Sequence, residues 1–166
     1  MDKQLQIVGL RIGRETLGLP ISLVREIVRV PEITPVPNAP EHIEGVINLR
    51  GKIIAVVDLS KRFGEGAIER SSKSRVVVVE MEGRLVGLLV SSASEVLKLS
   101  PSEIEAPQNV FPNEEMNYVT GVGKLNDRLI LLLDLSRILQ RVELQRLSEV
   151  AEFAGASMGA RPSLHR

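Results

Sequence analysis

Asp58 and Asp134 are the residues of this chain whose types and spacing most invite a chemical reading. Each ends an unbroken aliphatic run and each opens the tripeptide Asp-Leu-Ser. Two like carboxylates at equivalent positions of a duplicated chain can share a proton and activate water, as an acid dyad does. Such a dyad needs a tight turn that exposes each Asp beside its twin, normally through Thr or Ser and then Gly, whereas a bulky Leu follows here. The same context suits another task. An Asp before Leu-Ser and then basic and apolar residues accepts the orphan amide hydrogens of a first helical turn. Both aspartates are therefore expected to be helix caps.

The other candidates are few. The chain has no Cys, which removes thiolate nucleophiles, disulfides and Cys-based metal sites. His42 and His165 are its only histidines, one in a Pro-rich stretch and one near the end, so neither a charge relay nor a His-based metal cluster is expected. The glycines at 45 and 51 do not form a phosphate loop, because no Lys-Ser/Thr ending follows and the stretch lies between strands. Glu114 and Glu115 lack the alternating oxygen ligands of a calcium loop. No catalytic, cofactor or metal site is expected. With 21 basic against 21 acidic residues and only 2% aromatics, the chain lacks the basic groove and stacking faces of a nucleic-acid barrel. There is no apolar signal core at the N-terminus and no run of membrane-spanning length, so the cytoplasm is the expected compartment.

The elements that would hold these residues repeat. Residues 43–63 recur further along: Gly45, Val46, Leu49, Ile54 and Asp58-Leu59-Ser60 return as Gly121, Val122, Leu125, Ile130 and Asp134-Leu135-Ser136, a constant shift of 76. Each copy reads as two apolar strands joined by a polar turn, Arg50-Gly51 or Asn126-Asp127, and then a helix start. The runs 53–57 and 129–133 are continuously aliphatic, which fits strands buried on both faces. An earlier hairpin, 5–12 with 17–21, is echoed by 76–81 with 85–90 at a shift of 69, Gly18 falling on Gly87. The second half is thus seven residues longer, in an acidic loop between Ser100 and Tyr118.

In chain order, a first hairpin leads to one helical turn near residues 22–24 and a strand at 26–30. Pro31, Pro35, Pro37 and Pro40 then hold an extended surface connection to the repeated hairpin. The Gly- and Ser-rich residues 64–74 read as a linker with little to bury. The expected fold is all-β with a C-terminal helix: two pseudo-symmetric five-stranded barrels of the SH3-like or OB-like kind formed by internal duplication, about 5–63 and 75–135. Barrels of this size are marginal alone, so the halves should share an apolar interface. Apolar residues at helical spacing predict an amphipathic helix over 136–153, and small residues predict a frayed tail over 154–166.

A catalytically empty, duplicated β chain suggests an interaction module, and here a resemblance becomes specific. Gly45-Val46-Ile47-Asn48-Leu49-Arg50-Gly51, followed by apolar residues and Val57-Asp58-Leu59, resembles the hallmark of the CheW-type chemotaxis coupling proteins. The order of hairpin, Glu26 strand, Ile33-Thr34-Pro35-Val36-Pro37 loop, hallmark and second barrel is similar to that family over about residues 5–150. The resemblance implies one domain of two intertwined SH3-like β-barrels of five strands each, and no catalysis. It also implies a cytoplasmic adaptor, associated with receptor arrays, that joins methyl-accepting chemoreceptors to the chemotaxis histidine kinase. By position it implies Val24, Glu26 and Ile27 at an edge facing the kinase regulatory domain. Arg50, Val76 and Val96 would lie in a groove for the cytoplasmic tip of the receptor. Ala55 and Ser60 stand where the family usually has Pro and Arg. The alternative reading is a duplicated small-barrel module that binds nucleic acid or a peptide in an unrelated pathway.

Overall fold

A computed structural model describes residues 4–107, 118–139, 147, 149–152 and 154–155. The first half contributes β1 (Leu5–Ile12), β2 (Glu15–Pro20), a 3-10 turn (Ile21–Leu23) and β3 (Val24–Arg29). It continues with β4 (Ile43–Leu49), β5 (Lys52–Asp58) and the short helix α1 (Leu59–Arg62). The second half repeats the series as β6 (Arg75–Met81), β7 (Arg84–Val90) and β8 (Ser92–Leu99). It closes with the two-residue β9 (Ile104–Glu105), β10 (Val119–Leu125), β11 (Arg128–Leu133) and α2 (Leu135–Ile138). Among the described residues no helix is long and apolar enough to cross a membrane.

The strands form two sheets, but the sheets do not coincide with the two halves of the sequence. One runs β3-β6-β7-β5-β4 and the other β8-β1-β2-β11-β10-β9. Each half lends its first hairpin to the other's sheet, so contiguous barrels at 5–63 and 75–135 are not what forms. The hairpin β6/β7 completes barrel 1, and β1/β2 completes barrel 2. The joints are parallel pairings, Val56 beside Gly87 in barrel 1 and Leu132 beside Gly18 in barrel 2. These two pairs are equivalent under the shifts of 76 and 69. The register of β3 on β6 (Val28 opposite Val76) likewise repeats as β8 on β1 (Leu97 opposite Ile7). The exchange is therefore pseudo-two-fold.

Packing explains why the exchange is stable. Ile54 and Val56 turn into barrel 1 with Val76 and Leu89, and Ile130 and Leu132 turn into barrel 2 with Ile7 and Leu99. The alternate residues Ala55, Val57, Leu131 and Leu133 turn the other way, into a third and larger core between the barrels with Val77, Leu88 and Val8. Both aliphatic runs are thus buried on two faces, and the shared interface that small barrels require is the main core of the molecule. Gly45 belongs to this close packing. At φ 146° it sits at a bulge of β4, and a Cβ there would lie 2.2 Å from the carbonyl oxygen of Thr34. Thr34 in turn exchanges two 2.9 Å backbone hydrogen bonds with Val46 at the sheet edge, while Ile33, Val36 and Ala39 of the Pro-rich segment pack against the cores.

Residues 64–74 are more than a linker. Ile68 is buried in the barrel 1 core, its N–H donates to Asp58 Oδ2 at 3.0 Å, and the Arg70 guanidinium reaches Glu44 Oε1 at 3.0 Å. One aliphatic residue among Gly, Ser and charges suffices to pin the crossing. At the C-terminal side, α2 closes at Leu139, so the segment expected as one helix over 136–153 begins with a separate four-residue turn. Residues 140–146, Ser148 and Phe153 lie outside the described residues, as do 108–117 of the acidic loop and 156–166; Ala154 and Gly155, expected to open a frayed tail, are helical, and Ala154 is buried against the inter-barrel core.

Candidate partner-binding surfaces

The two aspartates are caps. The buried Asp58 accepts from the N–H of Lys61 through Oδ1 at 3.2 Å and from Ile68 through Oδ2. Asp134 Oδ1 accepts from the N–H of Ser136 at 3.0 Å, and its Oδ2 lies 3.4 Å from Arg137. Backbone donors and neighbouring side chains engage both carboxylates, as helix caps require. Beside Asp58, Glu44 bridges Lys61 at 2.7 Å and Arg70, tying β4 to α1 and the crossing segment. The Glu44 hydrogen bond holds the Lys61 ammonium above its usual pKa. On the far side of α1, Phe63 stacks on Tyr118 with ring centroids 4.7 Å apart. Burial, and then the charges of Glu15 and Glu65, push the Tyr118 hydroxyl up; burial and Glu65 do the same to the Glu15 carboxyl.

Arg50 stands at the tip of the β4/β5 hairpin, where Arg50 (φ 51°) and Gly51 (φ 89°) are both left-handed. A two-residue turn of this kind matches the strand twist and favours Asn-Gly or Asp-Gly. The equivalent turn uses Asn126 and Asp127. Arginine has no such preference, and a left-handed L-residue costs about 1 kcal/mol or more. Glu82 (φ 51°) takes the same position before Gly83 in the β6/β7 turn, so the backbone alone does not single out Arg50, and what sets it apart is its side chain. That side chain is 69% exposed and forms an ion pair with Glu26 of β3. Since β3 and β4 are the two edges of the β3-β6-β7-β5-β4 sheet, the pair spans the open mouth of barrel 1. Arg25 and Glu80 form a second pair there. Together they rim a cleft of about 570 Å³ floored by Leu49, Ile54, Val78 and Leu85.

Val24, Glu26 and Ile27 share β3; Val24, expected in the helical turn near 22–24, instead opens the strand, and the 3-10 turn ends at Leu23. Val24 packs against the inter-barrel core, Glu26 is half-buried, and Ile27 is 38% exposed. Val96, 52% exposed, is the counterpart of Ile27 on β8. Their cross-strand partners, Val77 and Val8, both belong to the inter-barrel core. Directly opposed residues share a face of the sheet, so Ile27 and Val96 carry the apolar seam between the barrels out to the surface. Val76 does not join them. It is fully buried inside barrel 1, opposite Val28 and Leu89, and no partner can touch it without opening the sheet. Its assignment to a contact surface is corrected to a packing role, against the face of Gly87. The Glu26–Arg50 pair, 24 positions apart, had no signal in the sequence.

A sequence model described as the CheW-like domain matches residues 6–143. The chain belongs to the CheW-like domain family. Its relatives include the chemotaxis protein CheW of Treponema pallidum (strain Nichols), 30% identical over 153 residues and spanning 90% of each chain. The chemotaxis protein CheW of Rhizobium meliloti (strain 1021) is 33% identical over 133 residues, covering 80% of this chain and 86% of the relative. Among solved structures, the scaffolding protein TtCheW of Thermoanaerobacter tengcongensis is similar with a TM-score of 0.75 and 38% identity, over 85% of this chain and 96% of that one. As a member of the CheW-like family with this fold, the chain is a chemotaxis coupling adaptor.

Proposed function

We propose that this adaptor works by binding alone, joining the regulatory domain of a chemotaxis histidine kinase to the cytoplasmic tip of a methyl-accepting receptor. It would act in the cytoplasm, at receptor arrays, and have no catalytic activity. In this reading Val24, Glu26 and Ile27 form the kinase-facing edge, and Arg50 and Val96 contribute to the receptor-facing surface. The observation that carries it is the Arg50 turn. A residue is kept in a backbone conformation it does not favour, with its planar donor fork held out beside an acidic edge strand. A fork of that kind suits carboxylates and carbonyls on a helical tip. The experiment titrates Arg50→Asn and Glu26→Lys against a receptor cytoplasmic fragment and the kinase regulatory domain, with thermal melts as the folding control. Arg50→Asn keeps the turn and should weaken receptor binding more than kinase binding; Glu26→Lys should do the reverse. Equal losses toward both partners, or none with Arg50→Asn, would overturn the assignment of these residues.

A further inference from the structure

Glu26 lies on the β3 edge and Arg50 at the β4/β5 tip, 24 positions apart, yet each holds the other directly. Glu26 Oε2 accepts from Arg50 Nη2. That nitrogen belongs to both of the forks with which a guanidinium can take a carboxylate, Nε with Nη2 and Nη1 with Nη2. Glu26 therefore occupies part of the grip that an incoming carboxylate would use. The same contact engages the carboxylate that an incoming cation would use. Among the other charges lining this cleft, Arg25 gives both Nε and Nη2 to Glu80 and is engaged there, and Lys52 completes the set. Barrel 2 has no counterpart of this link, because the position equivalent to Arg50 is taken by the uncharged Asn126.

Building on the reading of Glu26 as kinase-facing and Arg50 as receptor-facing, we propose that their ion pair couples the two partner sites, so that kinase bound at Glu26 tightens receptor binding at Arg50 and the reverse. A receptor carboxylate approaching Arg50 meets two obstacles, the hold of Glu26 on Nη2 and the like charge of Glu26 beside it. A kinase cation on Glu26 removes the first and offsets the second. The converse holds for that cation, which Arg50 repels until a receptor carboxylate neutralises it. Whichever partner arrives first bears the loss of the internal pair, so the second binds more tightly. Such linkage is reciprocal, each partner raising the other's affinity by the same factor. An exposed ion pair supports a factor of about three to five.

The test uses the whole chain and measures, by calorimetric titration, its affinity for a receptor cytoplasmic fragment, alone and with the kinase regulatory domain at saturation. A rise of about threefold or more is expected when the kinase domain is present. Glu26→Gln keeps the shape and removes the charge. On its own it should bind the receptor fragment about threefold more tightly than the unaltered chain, and the kinase domain should add nothing further. The first of these measurements needs no kinase, so it holds even where Glu26→Gln no longer binds that domain. Glu105→Gln, which breaks an exposed 3.2 Å pair with Lys124 on barrel 2, should change neither quantity. The coupling is overturned, with the assignment of Arg50 intact, if Arg50→Asn weakens receptor binding while the kinase domain leaves the affinity of the unaltered chain unchanged or lowers it. It falls equally if Glu26→Gln binds the receptor fragment no more tightly, or if Glu105→Gln gains as much. A tightening by the kinase domain that persists in Glu26→Gln would put the coupling in direct contact between the partners and also overturn it. Full receptor affinity in Arg50→Asn would instead remove the assignment itself, and the coupling with it.

Discussion

Asp58 and Asp134 occupy the same place in the repeat yet carry different loads. Each caps a helix, but only Asp58 is buried and also holds the crossing segment through Ile68. Asp58→Ala removes the cap, worth about 1 kcal/mol, and leaves a buried N–H unsatisfied at about 1–3 kcal/mol more. The expected loss in urea-unfolding free energy is about 2–4 kcal/mol, against about 1 kcal/mol for Asp134→Ala. Similar losses for the two would mean that the Ile68 bond contributes nothing. Arg50 gives the opposite prediction. Asn tolerates the left-handed turn, so Arg50→Asn should leave stability within about 1 kcal/mol, the surface ion pair being worth no more than that. Receptor affinity should nevertheless fall by about 2 kcal/mol, roughly thirtyfold in Kd. Calorimetric titration beside a thermal melt separates the two effects.

At the scale of elements, the tether from Glu44 to Lys61 and Arg70 joins β4, α1 and the crossing segment. The Lys61 pKa is raised, first by its Glu44 hydrogen bond. A raised folded-state pKa contributes stability that is complete below the unfolded value, about 10.4 for Lys, and lost as pH rises through the folded value. Unfolding free energy should therefore decline above about pH 10.4, and Lys61→Gln should remove that part of the decline. An unaltered alkaline profile in the variant would show that the tether carries no such linkage. The hairpins themselves were legible in the sequence, because turn residues and alternating aliphatics act locally. The exchange was not. Gly18 needs an aliphatic neighbour across a parallel joint, and Val56 of its own half would serve as well as Leu132 of the other. A repeat reveals which residues are equivalent and leaves open which copy they pair with. The unbroken Val76 to Val79 run already pointed to two-sided burial, so the fate of Val76 could have been read from its own neighbours. Arg50 was legible as a hairpin tip; its pairing with Glu26 depends on barrel closure, which brings opposite sheet edges together.

For the whole molecule, the largest core belongs to neither barrel alone. The barrels should therefore melt as one unit. Leu88 comes from the second half, pairs within barrel 1 and is fully buried in the shared core. Leu88→Ala should cost about 2–5 kcal/mol and shift a single calorimetric transition downward, without splitting it. Two transitions, one of them unshifted, would show that the barrels are independent.

The exchanged hairpins also bear on descent. A single ancestral half, with one hairpin and three further strands, would leave both sets of edges unsatisfied, and a second copy of itself would complete both at once. Such a self-complementary pair has the two-fold arrangement that simple homodimers favour. Fusing its ends through a segment like 64–74 would yield the present chain, with each subunit's debt to the other made permanent in one polypeptide. On this view two equivalent surfaces, released from the need to match, could diverge: Arg50 stands at one hairpin tip and Asn126 at the other.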